Sequence, residues 1–338
     1  MKIIRPILKN TLVIVILSTL FSSIFLVGIY EILATIRYYQ WKSYYHQNGD
    51  LYGHLTVKSN NNELIWEYRP YGECITKTKN YNGEELGIIK TNRYGFRDYD
   101  YESPEKPQGI YRIAFIGDSV TLGLWVPFEK TFVRRFEAEA NRLKKQTKYQ
   151  AVNFAVDGYD TRQISAMLKT KVLLFAPDKV VYVMCLNDFD FDEASGLKIK
   201  YFVKPRSFLL QRIKKAYHHR NRPKDLDYHL YHYKKNREIV FTKILEMKSL
   251  LDRENISFHL SLLPVFDLEY TNFETYPLRN LHKEVTEFAL KNDISFSDLL
   301  KTFSNQKKSP HFVAYDAWHP NEEGHLVIAH GLSNSIIP

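Results

Sequence analysis

The chain has 338 residues, 44% of them hydrophobic and 25% charged, a balance that belongs to globular proteins and excludes a disordered chain. Two cysteines, Cys74 and Cys185, exclude a disulfide-dense scaffold and a cysteine-only zinc site, leaving one possible disulfide pair. The formal charge of +9 is local: the ten basic residues from Lys198 to Lys224 have no acid among them, and without those ten the remainder carries −1.

The first ten residues carry Lys2, Arg5 and Lys9, and the 21 residues Asn10–Tyr30 carry no charge. At 1.5 Å per residue they span about 30 Å of helix, enough for the hydrocarbon core of a bilayer. A cleaved signal peptide has a shorter apolar region and a small-x-small cleavage site. Here the run passes into "EILATIRYYQW" without one. A buried core helix is disfavoured by the position and uniform apolarity of the run. The expectation is an uncleaved single-pass anchor over 11–33, residues 1–10 in the cytoplasm, and the rest outside the cytoplasmic membrane. Arg37 and Lys42 beyond the run make the charge asymmetry modest.

Residues 34–58 read as a stalk. Residues 59–108 read as a small β-rich lead-in of short strand-like pieces, "LIWEYRP" and "LGIIKTN", closed by the connector "SPEKPQG". From 109 to 338 strands and helices alternate. "YRIAFIG" precedes a helix with Phe128, Phe132, Phe136, Ala140 and Leu143 at helical spacing. "YQAVNFA", "KVVYVMCL", "ISFHLSLLP" and "ISFSDL" are further strands, with helical patterns between them. This alternation predicts an α/β fold, a parallel sheet with helices on both faces.

The first of these strands stops on Gly-Asp-Ser. Ser119 there is either a helix N-cap or a nucleophile at the C-terminal edge of the sheet. The second strand runs into "NFAVDGYDT", where Gly158 allows a backbone N–H to approach a ligand closely. The third runs into "LNDFD", with Asn187 at its tip. Near the C-terminus, "DAWHPNEEGH" sets Asp316 three residues before His319, close enough for the carboxylate to fix the imidazole's tautomer. Singly, each is ordinary turn or cap chemistry. Together they supply a nucleophile (Ser119), a base (His319), an orienting carboxylate (Asp316) and oxyanion donors from the Ser119 and Gly158 N–H groups and the Asn187 amide.

In this combination and order the sequence resembles the SGNH hydrolases, or GDSL esterase/lipase family, through "GDSV", "NFAVDGYD", "LNDFD" and "DAWHPN". "TNRYGFRD" resembles a lead-in found in many bacterial members. The resemblance covers about residues 109–338 and implies a three-layer α/β/α, flavodoxin-like domain. It also implies those same roles for Ser119, Gly158, Asn187, Asp316 and His319. Val120 stands where the family usually has Leu, and Cys185 where it usually has Gly.

The reading is therefore an extracytoplasmic serine esterase that hydrolyses O-acyl esters, acetyl among them, on envelope or exported glycans, through an acyl-serine intermediate. No cofactor or metal is expected. The alternatives are an O-acyltransferase, which differs only in the acceptor, and a non-catalytic glycan-binding or assembly protein on the same fold. A basic insertion at 195–235 includes "SFLLQRIKKAYHH", which can form an amphipathic helix. It is read as a solvated helix or as a contact for anionic lipid or acidic glycan; nucleic acid is not expected. His229 and His232 are expected on the surface rather than on a metal.

Overall fold

The structure, a computed structural model, describes residues 4–48, 55–80, 83–192, 202–221, 225–266, 271–306 and 308–337. The chain divides into two compact units. One holds the N-terminal helix α1 (Ile4–Asn48) and, much later in the chain, α5 (Phe208–Asn221). α1 is long and apolar enough to cross a membrane, and its apolar side chains between Val13 and Ile29 are exposed. The helix continues unbroken to Asn48, well into the segment read as a stalk.

The other unit carries the rest. It begins with two antiparallel pairs, β1 (Thr56–Lys58) with β2 (Trp66–Tyr68) and β3 (Glu73–Asn80) with β4 (Gly83–Lys90). A five-stranded sheet follows: β5 (Ile110–Ile116), β6 (Lys148–Asn153), β7 (Lys179–Met184), β8 (Ser257–Leu262) and β9 (Ser295–Asp298). All its pairings are parallel, in the spatial order β6-β5-β7-β8-β9. That is the flavodoxin-like order 2-1-3-4-5, as expected. Ile113–Ile116 and Val180–Met184 are buried throughout, as strands covered on both faces must be.

The helices in chain order are α2 (Ser119–Leu122), α3 (Phe132–Leu143), α4 (Thr161–Thr170), α6 (Asp225–Arg253), α7 (Arg279–Lys291), α8 (Leu299–Asn305) and α9 (Glu322–Ile336). α4 starts on a capping box, with Asp160 and Gln163 exchanging side chain-to-backbone hydrogen bonds. α9 starts on Asn321, whose side chain accepts from Glu323 and Gly324, and Glu322 and Glu323 complement its positive end.

Two expectations are corrected. The helix expected to include Phe128 begins only at Phe132: Phe128–Lys130 form a 3₁₀ turn after Pro127, and Leu143 is exposed. The lead-in packs on the domain that follows it: Leu64, Trp66, Tyr68, Ile89 and Phe96 join the same buried cluster as Phe115. "HLYHYKK" belongs to α6, and His229 and His232 are buried rather than on the surface. Residues 195–201 and 222–224 of the basic insertion lie outside the described residues. Cys74 and Cys185 are both buried, and no disulfide joins them.

Candidate active site

The strand order reverses direction at β5, and the chain leaving β5, β6 and β7 forms one rim of the sheet. Open α/β sheets bind ligands at such a switch point, beyond the carboxyl ends of the strands. Ser119, Gly158 and Asn187 follow those three strands in turn. They line one cavity of about 80 Å³ together with His319, Asp157, Tyr159, Asp160, Asp190 and Trp318.

The N-cap position lies one residue before Ser119. Asp118, not Ser119, is the N-cap of α2, and its carboxylate accepts from the Val120 N–H at 3.0 Å. Ser119 is the first helical residue, so its hydroxyl is not used for capping. Its Oγ lies 2.9 Å from Nε2 of His319. On the far side of the ring, Nδ1 lies 2.9 Å from both oxygens of Asp316. A carboxylate accepts only, so Nδ1 carries the proton and Nε2 offers its lone pair to the serine hydroxyl.

The Asp316–His319 spacing works because the turn is held by the same carboxylate. Asp316 Oδ1 also accepts from the backbone N–H groups of Trp318 and His319, each at 2.8 Å. Burial opposes ionisation of Asp316, but the His319 ring and these two N–H groups hold its carboxyl below the ordinary value. Burial likewise disfavours imidazolium at His319. The bond to Asp316 and the carboxylates of Asp316, Asp118 and Asp157 outweigh it, and the pKa rises. The site thus stabilises the cation that forms when a serine proton moves to His319.

Asn187 sits in a 3₁₀ turn (Leu186–Phe189) that Asp188 closes, accepting from the Cys185 N–H and the Tyr182 hydroxyl. Its Nδ2 donates to Asp118 Oδ2 at 2.6 Å, so the end of β7 is tied to the cap beside Ser119. The amide has a second N–H for another acceptor. Gly158 has φ of +73°, a conformation that favours glycine.

Residues that the motifs do not reveal hold this rim in place. Arg97, from "TNRYGFRD", is buried and donates to the carbonyls of Leu122, Gly123, Val126 and Ile88. Burial lowers its pKa to about 10, which leaves it charged at neutral pH. It clamps the turn after α2, where Trp125 has φ of +65° and sets its ring 4.6 Å from that of His319. The lead-in also grips the Gly158 loop. Trp66 Nε1 donates to the Asp157 carbonyl, and the Asp157 N–H donates to the Tyr68 hydroxyl. The only hint of these contacts in the sequence is the resemblance of "TNRYGFRD" itself.

Asp190, Asp192 and His232 bring three possible metal-ligand atoms within 4.8 Å of one another. The Lys235 ammonium lies 2.9 Å from Asp192, and the Tyr228 hydroxyl donates to Asp190. These carboxylates are already engaged, and a lysine on one of them opposes a cation.

The sequence profile described as the GDSL-like Lipase/Acylhydrolase family matches residues 115–327. No functionally curated protein matches the chain. Among solved structures, an acetylxylan esterase from Geobacillus stearothermophilus is 19% identical, with 67% of this chain and 94% of that one covered and a TM-score of 0.44. A GDSL-like lipase from Bacteroides thetaiotaomicron is 16% identical, with coverage of 67% and 87% and a TM-score of 0.40.

Proposed function

This chain belongs to the GDSL-like lipase/acylhydrolase family and is an ester hydrolase, and from that premise we propose that it is a membrane-anchored serine esterase for short O-acyl groups. The observation that carries the reading is the line Ser119 Oγ, His319 Nε2, His319 Nδ1, Asp316, with 2.9 Å at each hydrogen bond. Ser119 attacks the ester carbonyl as His319 takes its proton. The oxyanion is held by the Ser119 and Gly158 N–H groups and by Asn187. The imidazolium then protonates the departing alcohol, leaving an acyl-serine. Water, deprotonated by His319, attacks that carbonyl, and the acid leaves as the serine recovers its proton.

The size and lining of the cavity support a short acyl group on a sugar. About 80 Å³ holds only a few water-sized groups, which suits acetyl better than a fatty chain. Trp318 on its wall is partly exposed and offers an apolar ring with a polar edge, a surface on which a sugar ring packs. An exported or envelope glycan as the carrier follows from reading α1 as an uncleaved anchor with the enzyme outside the cytoplasmic membrane.

The test uses the full chain in detergent micelles. Hydrolysis of p-nitrophenyl esters is expected to fall at least about tenfold from acetyl to octanoyl, as a short pocket requires. An O-acetylated glycan is expected to release acetate to water. Preference for octanoyl would overturn the short-acyl reading, and transfer of acetyl to an added acceptor sugar in place of water would make the protein an acyltransferase.

A further inference from the structure

We infer that α5 is an interfacial helix that docks on the anionic lipid headgroups of the bilayer crossed by α1. The inference rests on reading α1 as a membrane span.

The first turn of α5 is fixed to α1 by one acidic side chain. Glu31 is the first charged residue after the uncharged run that ends at Tyr30. Its carboxylate accepts from the Ser207 hydroxyl at 2.6 Å and from the backbone N–H groups of Phe208 and Leu209 at 2.9 and 3.0 Å. Two turns along α1, the ring of Tyr38 meets that of Phe208, with centroids 5.8 Å apart. The start of α5 is thereby held where the apolar span ends, at the level of the headgroups. Glu31 gains by this, since its charge at that depth is met by three donors.

Every residue from Arg212 to Tyr217 is exposed, and Leu210, Ile213 and Tyr217 are 60, 55 and 68% exposed. Those three recur at i, i+3 and i+7, so they share one face of the helix. Arg212 and Lys215 lie on the opposite side, with Lys214 and Arg220 on the flanks. An exposed apolar stripe bordered by cations is costly in water and suited to a headgroup–acyl boundary. Within α5 there is no acidic residue. The six cations Lys204, Arg206, Arg212, Lys214, Lys215 and Arg220 match a negatively charged lipid surface.

The experiment uses the full chain in nanodiscs of phosphatidylcholine, with or without phosphatidylglycerol. An environment-sensitive fluorophore is placed at Ile213→Cys in one preparation and at Phe21→Cys in another. The native Cys74 and Cys185 are buried, which directs the label to the new thiol. At Phe21 the label is expected to be quenched by spin-labelled lipid in both compositions. At Ile213 it is expected to shift to the blue and be quenched several-fold more with phosphatidylglycerol. Raising the salt to about 1 M should weaken that quenching, because the Debye length falls to about 3 Å. Changing Arg212, Lys214, Lys215 and Arg220 together to Gln should abolish the dependence on phosphatidylglycerol and leave turnover of p-nitrophenyl acetate unchanged. Quenching at Phe21 with a water-exposed label at Ile213 would overturn the inference and leave the anchor intact. Equal quenching at Ile213 in both lipids would overturn the anionic preference, and a response to an acidic glycan but not to lipid would replace the lipid by the glycan. No quenching at Phe21 would remove the membrane span and this inference with it.

Discussion

Asp118 Oδ2 accepts a hydrogen bond from Asn187 Nδ2 at 2.6 Å, joining the turns after β5 and β7. Asp118 also caps the helix that presents Ser119, so one carboxylate sets the position of both the proposed nucleophile and a proposed oxyanion donor. Asn187→Ala is expected to lower kcat about 100-fold or more with a much smaller change in KM, as loss of a donor used mainly in the transition state does. Asp118→Ala should lose the cap, costing about 1 kcal/mol, and should also lower kcat by freeing Asn187. Steady-state kinetics on both variants checks this. An unchanged kcat in Asn187→Ala would remove it from the oxyanion site.

The pH profile follows from His319. As a base it must be neutral, and its pKa is raised above the ordinary 6.5. The acid limb of kcat/KM is therefore expected to have its inflection above 6.5, with activity rising through that pH as the proton leaves. Asp316→Asn removes the carboxylate that raises the pKa. The inflection should move to lower pH while kcat falls by about 10³-fold or more. A profile flat from pH 5 to 8 would contradict the assignment of His319 as the base.

Stability at acid pH depends on two other histidines. His325 accepts from the Phe132 N–H at Nδ1, and burial lowers its pKa to about 3. His259 lies between Ser295 and Ser297, and burial lowers its pKa to about 4. Both bind a proton near 6.5 when unfolded, so the unfolded state takes up more protons between 6.5 and 4. Their contribution is full above pH 6.5 and falls as the pH drops, by a few kcal/mol in total. His319, with its raised value, acts oppositely, and its share is lost as pH rises through its folded pKa. Urea unfolding across pH 4–7 should show a marked loss of stability below 6.5, and His325→Gln should flatten that slope.

Arg97→Met is expected to destabilise the protein by about 2–4 kcal/mol, because buried carbonyls lose their donor while the site residues themselves stay unchanged. Activity should fall too, since the turn carrying Trp125 beside His319 is no longer clamped. A variant as stable and as active as the parent would show the clamp to be dispensable.

Much of the site was legible because each of its parts ends or begins an element with a strong local signature. Ser119, Gly158 and Asn187 each follow a short apolar strand. Asp316 and His319 lie close in sequence, immediately before a helix start. Local pattern left Ser119's role open; the structure places Asp118 at the cap position. The rest was illegible because it depends on packing between distant segments. Nothing near His232 in sequence announces Asp190, which the fold brings within 3.2 Å. Arg97 reads as an ordinary loop cation until β4 and the turn after α2 surround it. Phe128 fits the helical spacing of Phe132 and Phe136, yet Pro127 and the extended Thr131 delay α3.

The central claim is that Ser119 is the nucleophile. The most direct measurement compares the full chain with Ser119→Ala for turnover of p-nitrophenyl acetate and for covalent labelling by a fluorophosphonate. The account predicts that the parent hydrolyses the ester and is labelled once, on Ser119, and that the folded variant does neither. Undiminished hydrolysis by the Ser119→Ala protein, or labelling at another serine, would contradict it.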